Sequence, residues 1–242
     1  MGDAPGWARL QCVPGMLDGD IELEWLEGAL GGVRTAVLWT GRPGLVAPLS
    51  YRRHGELAAA CAASDRRGWP VRLRRSGGGV VPQGPGILNL SLAFPCTAGP
   101  AEQMESVYAQ ICAALTQALA GLGIAAEPRA VAGSFCDGRF NVAVVPPDGS
   151  APLKVAGTAQ YWRRGPQCHA VLAHALIIVD ADPAALTAQA NGFEAALGSG
   201  RRYDAGALTS VAQAWRAAHG GMAAPGDIAA RFSQRLAAAL TH

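Results

Sequence analysis

The sequence predicts an α+β fold, with a largely antiparallel central sheet region flanked by helices. Three observations carry that expectation. Strand-like alternation clusters in the middle of the chain, apolar residues recur at helical spacing towards both ends, and the regular strand–helix alternation of a parallel doubly wound sheet is absent. With 242 residues, 50% of them hydrophobic and 16% charged, the chain has globular composition and enough length for a real core. No stretch in the middle reads as a linker, so residues 1–242 are expected to form one domain.

Residues 18–30 open with Asp18-Gly19-Asp20, which offers capping carboxylates, and Leu23, Leu26 and Leu30 follow at helical spacing, so a first amphipathic helix is expected there. Residues 33–40 read as a strand. A short Ala-rich helix covers about 56–64, and Val71-Arg72-Leu73-Arg74 alternates as a half-buried strand does before running into Gly77-Gly78-Gly79. Residues 87–94 alternate cleanly and are expected to stop at Pro95. The strongest helical pattern comes next, with Pro100 near its start, a face of Met104, Val107, Ile111, Leu115, Ala118 and Leu122, and Gly121 and Gly123 at its end. Strands are expected at 140–145, 153–156 and 171–179, separated by turns at Pro146-Pro147-Asp148-Gly149 and Arg163-Arg164-Gly165-Pro166. Helices are expected at 183–190, 207–218 and 227–240; in the last, Ile228, Phe232, Leu236 and Leu240 fall four apart.

Composition narrows the function classes. A net charge of +2 is too small to suggest nucleic-acid binding, so the recurring arginine doublets read as solvated surface or as a positive rim for an acidic partner protein. No stretch approaches the about 18 uninterrupted apolar residues of a membrane span, and the first residues carry no signal-peptide pattern. No membrane partner is expected, and the start is expected to be unprocessed. The six cysteines form no Cys-x-x-Cys pair, which fits reduced thiols and a cytoplasmic location. Cys168 and His169 are neighbours on a strand-like stretch and would face opposite ways, so no metal site is expected.

Two segments could carry chemistry. From Arg74 to Gly86 five glycines join two strands, and glycine lets backbone N–H groups approach a bound group without side-chain obstruction. The segment is neither a Walker loop nor a Gly-x-Gly-x-x-Gly turn opening a helix. The second is Lys154-Val155-Ala156-Gly157-Thr158-Ala159-Gln160. Lys154 is the only lysine among 20 basic residues. A chain that otherwise uses arginine has kept a compact ammonium whose pKa burial can shift; a chance surface lysine is the competing reading, and the count alone does not separate them. Gly157 leaves room beside a strand for a ligand.

The order Arg74-x-Ser76-Gly77-Gly78-Gly79, then Phe135-Cys136-Asp137-Gly138-Arg139-Phe140-Asn141, then Lys154 to Gln160, then Val171-Leu172-Ala173-His174 resembles the lipoate protein ligase and octanoyltransferase superfamily, itself related in fold to biotin protein ligases. The resemblance spans about residues 20–180. It implies a catalytic domain of that fold. Lys154 then corresponds to the family lysine that contacts the acyl carboxyl and, in ligases, the adenylate phosphate, and not to a chance surface lysine. It also implies a substrate or adenylate pocket formed by Arg74, Ser76, Gly77, Gly78, Gly79, Val80, Gln83, Asn89, Arg139, Gly157, Thr158, Ala159 and His174. The implied ligands are lipoate or octanoate, with ATP and Mg2+ in a ligase. The implied acceptor is a lysine of a lipoyl carrier domain.

The chain also departs from the family pattern. Gln83-Gly84 stands where many members have His-Asp, Gly86-Ile87 stands for the usual Gly-Asn with Asn89 two residues later, and Ala175 replaces a glycine after His174. No accessory C-terminal domain is expected beyond the catalytic domain, and that expectation implies either a separate accessory subunit or a diverged function. Cys136 lies in the loop where cysteine-dependent members carry their nucleophile, although this loop is shorter by a few residues; a small buried hydrophobe is the alternative. His174 is expected to orient the pocket or fill the core. The function expected from the resemblance is an ATP-dependent ligase that activates lipoate or octanoate as the acyl adenylate; the alternatives are an ATP-independent transferase moving octanoyl from acyl carrier protein through Cys136, and a non-catalytic acyl-binding protein.

Overall fold

A computed structural model of the chain describes residues 10–240. The expected unprocessed start, residues 1–9, lies outside the described residues. In chain order the strands are β1 (Gln11–Leu17), β2 (Thr35–Gly41), β3 (Gly44–Pro48), β4 (Val71–Arg74), β5 (Val81–Gln83), β6 (Ile87–Cys96), β7 (Ala126–Pro128), β8 (Val142–Val144), β9 (Leu153–Arg164) and β10 (His169–Ile178). The helices are α1 (Ile21–Leu30), α2 (Leu57–Arg66), α3 (Pro100–Ala120), α4 (Pro183–Leu197), α5 (Val211–Ala218) and α6 (Ile228–Leu240). The fold is α+β, as expected. A seven-stranded sheet runs β1-β2-β6-β10-β9-β8-β7, antiparallel except for the β1–β2 pair, and a three-stranded sheet runs β4-β3-β5.

Alternation along the two central strands decides where the site lies. On β6, Leu90, Leu92 and Phe94 face a core built with Ile111 and Leu115 of α3 and Phe232 and Leu236 of α6; on β10, Val171, Ala173, Ala175 and Ile177 do the same. The opposite face of these strands therefore presents Asn89 and Ser91 on β6 and His174 on β10. At one end of that second face α1 packs Leu26 and Ala29 on Ala93 and Leu172. At the other end the small sheet, α2 and α4 enclose a second core around Leu45, Tyr51, Phe193 and Leu197. The polar positions remain between them.

Several boundaries differ from expectation for identifiable reasons. Asp20 caps α1 by position, but its side chain makes no capping bond. Asp18 instead pairs with Arg42 at 3.3 Å and Arg72 at 2.5 Å, tying the entrance of α1 to both sheets. β6 continues through Pro95 to Cys96 because β2 accompanies it only as far as Ala93, leaving β10 as its neighbour at Pro95. β9 runs on through the expected turn at Arg163 and Arg164, which pair with Ala170 and His169. α4 continues past Ala190 because Phe193 and Leu197 are buried, and Gly198 ends it in the left-handed conformation. α5 starts at Val211 rather than 207, where Ser210 and Gln213 form a capping box. Just before it, Leu208 lies parallel to Lys154 and the Thr209 N–H donates to the Lys154 carbonyl. Met104, expected on the buried face of α3, is 42% exposed. No helix among the described residues is long and apolar enough to cross a membrane.

Candidate active site

A cleft of about 980 Å³ opens between the two sheets and α1. Of the residues singled out in the sequence, it brings together Arg74, Ser76, Gly77, Gly78, Gly79, Gln83, Asn89, Cys136, Arg139, Lys154, Gly157, Thr158, Ala159 and His174. Val80 lies apart from these. It is fully buried in the core of the small sheet, because the chain must turn inward there to start β5.

The centre is a contact between two loops. Cys136 is the single non-glycine residue with positive φ among the described residues, at 51°. Its Sγ accepts a hydrogen bond from the Gly79 N–H at 2.7 Å, and an Arg74 Nη lies 4.0 Å away. A Cβ on Gly78 would stand 2.6 Å from that sulfur, and Gly78 has φ 108°, so both the conformation and the space call for glycine. One peptide of the glycine turn thus forms the seat of the thiol.

Lys154 sits under this contact, 4% exposed, at the start of β9. Its Nζ donates to the Phe135 carbonyl and, at 2.9 Å, to the Cys136 carbonyl, which also accepts from Asn141 Nδ2. A Cβ on Gly157 would stand 3.1 Å from both Cε and Nζ of Lys154, which gives that glycine its reason. Burial, helped by the nearby charge of Arg74, lowers the lysine pKa from 10.5 to about 8, against the opposing pull of Cys136 and Asp137. The lysine is therefore buried at the cleft and turned towards the backbone of the cysteine loop.

Arg74 is also committed. Its guanidinium donates to the carbonyls of Val46, Gly77 and Gly79 at 2.8 Å each, so it braces the glycine turn and lends that side of the cleft a positive charge. Burial lowers its pKa, and Cys136, Tyr51 and Glu22 counteract this. An N–H donor and a neighbouring guanidinium thus face one sulfur.

A second polar group forms the far wall. Ser76 Oγ lies 3.0 Å from His174 Nε2, and His174 Nδ1 lies 2.9 Å from Glu22 Oε1. Ser91 Oγ donates to the same carboxylate at 2.6 Å and accepts from Trp39 Nε1 at 2.9 Å. Burial alone would raise the Glu22 pKa, but the His174 charge, the hydrogen bonds from His174 and Ser91, and Arg74 together lower it. Sequence reasoning named His174 and Ser76 but missed Glu22, which reads locally as an acidic residue in the first turn of a helix. Gln83 and Asn89 pair their amides reciprocally at 2.8 and 2.9 Å. Thr158 Oγ1 donates to the Phe140 carbonyl, and Arg139 lies at the rim over the Phe140 ring, paired with Glu105. All six cysteines are free, and no group of three or more His, Cys, Asp or Glu side chains placed to hold a metal occurs among the described residues.

Comparison with known proteins places this geometry in context. The model of the lipoyl protein ligase A/B catalytic domain matches residues 34–202. An uncharacterized protein of Cupriavidus necator is 50% identical over 80% of this chain and 79% of its own length. An octanoyl-[GcvH]:protein N-octanoyltransferase of Kyrpidia tusciae is 35% identical over 70% of this chain and 59% of its own length. Among solved structures, a lipoate-protein ligase A bound with ATP aligns with TM-score 0.64 at 15% identity, covering 97% of this chain and 85% of that one. The bipartite lipoate protein ligase of Thermoplasma acidophilum, described with its E2 lipoyl domain, aligns with TM-score 0.54 at 19% identity, covering 95% of this chain and 84% of that one. The last two likenesses are of fold.

Proposed function

We infer the reaction from one premise: the chain belongs to the lipoyl protein ligase A/B catalytic domain family, and is an enzyme of lipoate or octanoyl transfer to protein. Within that family we propose the ATP-independent branch, in which Cys136 takes octanoyl from a protein-bound donor and passes it to a lysine of a lipoyl carrier domain. The observation that carries this reading is the seat of Cys136: a thiol turned by a left-handed backbone onto the Gly79 N–H, beside a half-buried guanidinium, at the lining of the cleft. The octanoyltransferase of Kyrpidia tusciae supports it at the level of sequence.

In the first half of the reaction Cys136 Sγ attacks the octanoyl carbonyl carbon, the new C–S bond forms, and the bond to the donor breaks. The donor leaves with the proton the thiol released. In the second half the neutral amine of the acceptor lysine attacks the thioester, the C–N bond forms, and Cys136 departs as thiolate while the amine proton passes to solvent. Lys154 holds the two carbonyls that bracket the turn at Cys136, and Arg74 supplies fixed positive charge to the anionic states. The wall of Ser76, His174 and Glu22 bounds the space left for the chain. The cytoplasm, where thiols stay reduced, suits six free cysteines and a thiol nucleophile.

The test supplies the donor as octanoyl-GcvH or octanoyl-acyl carrier protein, with a lipoyl domain as acceptor and ATP either present or absent. We expect acceptor octanoylation without ATP, lost in Cys136→Ala. Transfer that requires free lipoate or octanoate, ATP and Mg2+ and survives Cys136→Ala would establish the ligase instead. Binding of free lipoate with no transfer from any donor, even after a separate accessory subunit is added, would establish an acyl-binding protein.

A further inference from the structure

Behind the glycine turn lies a buried cluster that the acyl-transfer chemistry does not use. Glu194, fully buried on α4, accepts hydrogen bonds from Tyr51 Oη at 2.6 Å, Tyr203 Oη at 2.8 Å and Ser199 Oγ at 2.5 Å. Tyr203 is gripped a second time by Asn191, whose amide donates to its carbonyl at 2.9 Å and accepts from its N–H at 2.7 Å. Phenol and backbone are both fixed to one helix. Burial and the neighbouring Glu194 carboxylate raise the pKa of both phenols, that of Tyr51 to about 12, so each keeps its proton as a donor.

The other side of Tyr203 faces the cysteine site. A Cβ on Gly79 would stand 2.6 Å from its hydroxyl, so that oxygen lies directly against the Gly79 backbone. Its ring meets Phe135 edge-on, with centroids 5.0 Å apart and planes at 68°. Gly79 provides the N–H donor of the thiol, and Phe135 is the residue before Cys136, whose carbonyl Lys154 binds. One anchored side chain thus touches both loops that meet at the nucleophile.

We propose that Tyr203, anchored to Glu194 and Asn191 of α4, is a positioning residue for Cys136, holding the Gly79 turn and Phe135 in the register that keeps Sγ on its N–H donor. The inference rests on the reading of Cys136 as the nucleophile and adds a residue that acts through it. The seat of a nucleophile tolerates little displacement, since a shift of about 1 Å at a reacting group can cost on the order of 10²-fold in rate.

Tyr203→Phe removes the hydroxyl and keeps the ring. Two readouts are taken: kcat and KM for octanoyl transfer, and the rate at which iodoacetamide labels the Cys136 peptide, followed by mass spectrometry. The second needs no acyl donor. The expected result is a kcat lowered about tenfold with KM within about twofold, together with slower labelling of Cys136 and an unchanged rate at exposed Cys12. Tyr203→Leu should lower both rates further. Wild-type kcat together with an unchanged or faster labelling rate in Tyr203→Phe overturns the proposal. If that variant does not fold, Glu194→Gln is judged by the same two readouts and the same outcomes. If Cys136→Ala keeps its transfer activity, the nucleophile reading fails on its own, and the Cys136 labelling rate alone decides the role of Tyr203.

Discussion

Lys154→Met keeps the length of a side chain that is 4% exposed and removes only its ammonium. Two opposed effects set its consequence for stability. The lysine pKa falls from 10.5 to about 8 in the folded protein, a difference of 2.5; at about 1.4 kcal/mol per unit, holding the charge there costs about 3 kcal/mol at neutral pH, which methionine recovers. Against that, the Phe135 carbonyl loses its donor, at about 1–3 kcal/mol, while Asn141 still serves the Cys136 carbonyl. The variant should therefore unfold in urea within about 2 kcal/mol of the wild type at pH 7. Its transfer rate should drop by about 100-fold or more, because the turn at Cys136 is no longer held. The pH dependence fixes the sign. Between pH 8 and 10.5 the native lysine has released its proton and the unfolded chain still holds one, so unfolding takes up a proton and wild-type stability rises with pH across that window. The variant should lack this rise. A loss of stability above about 4 kcal/mol, or a wild-type transfer rate in the variant, would overturn this role of Lys154.

Further predictions concern the seat of the thiol and the wall opposite. Gly78→Ala places a Cβ 2.6 Å from Cys136 Sγ at a φ of 108°, so it should abolish transfer and cost about 1–3 kcal/mol in a urea titration. Gly157→Ala presses on Lys154 Cε and Nζ at 3.1 Å and should lower kcat with a smaller effect on stability, checked by the same pair of assays. Glu22 has a folded pKa below 4.5, so its contribution is fully present above that pH and is lost as pH falls through the folded value. The stability advantage of wild type over Glu22→Gln should accordingly shrink as urea titrations are repeated at pH values descending from 5.

Long, strongly periodic elements were legible in the sequence. The face of Val107, Ile111, Leu115 and Ala118 marked α3, and the alternation from Ile87 to Phe94 marked β6, because each repeats its period several times. The glycine turn and the Lys154 strand were legible because their chemistry is local. The small sheet was mostly missed: β3 and β5 have five and three residues, too few to show alternation, and their ends are Gly44, Pro48 and Gln83. No element was expected at β1, whose Pro14 and Gly15 interrupt any alternation and fall at a shift in register on an edge strand. The Glu22–His174 contact joins residues 152 apart, and Glu194 meets Tyr203 on the part of α4 that runs on past residue 190, where the expected helix stops. The first exists only once α1 has packed across the central strand β10 and the second only once α4 has formed to its full length, so no local pattern announces them.

The proposed reaction passes through a covalent intermediate at one thiol. Protein incubated with octanoyl donor and no acceptor, then examined by intact mass and peptide mapping, should carry one octanoyl group on Cys136, removable by hydroxylamine and chased onto a lipoyl domain when the acceptor is added. Cys136→Ala should show neither adduct nor transfer. Transfer that proceeds at the wild-type rate in Cys136→Ala, with no adduct on the unsubstituted protein, would contradict it.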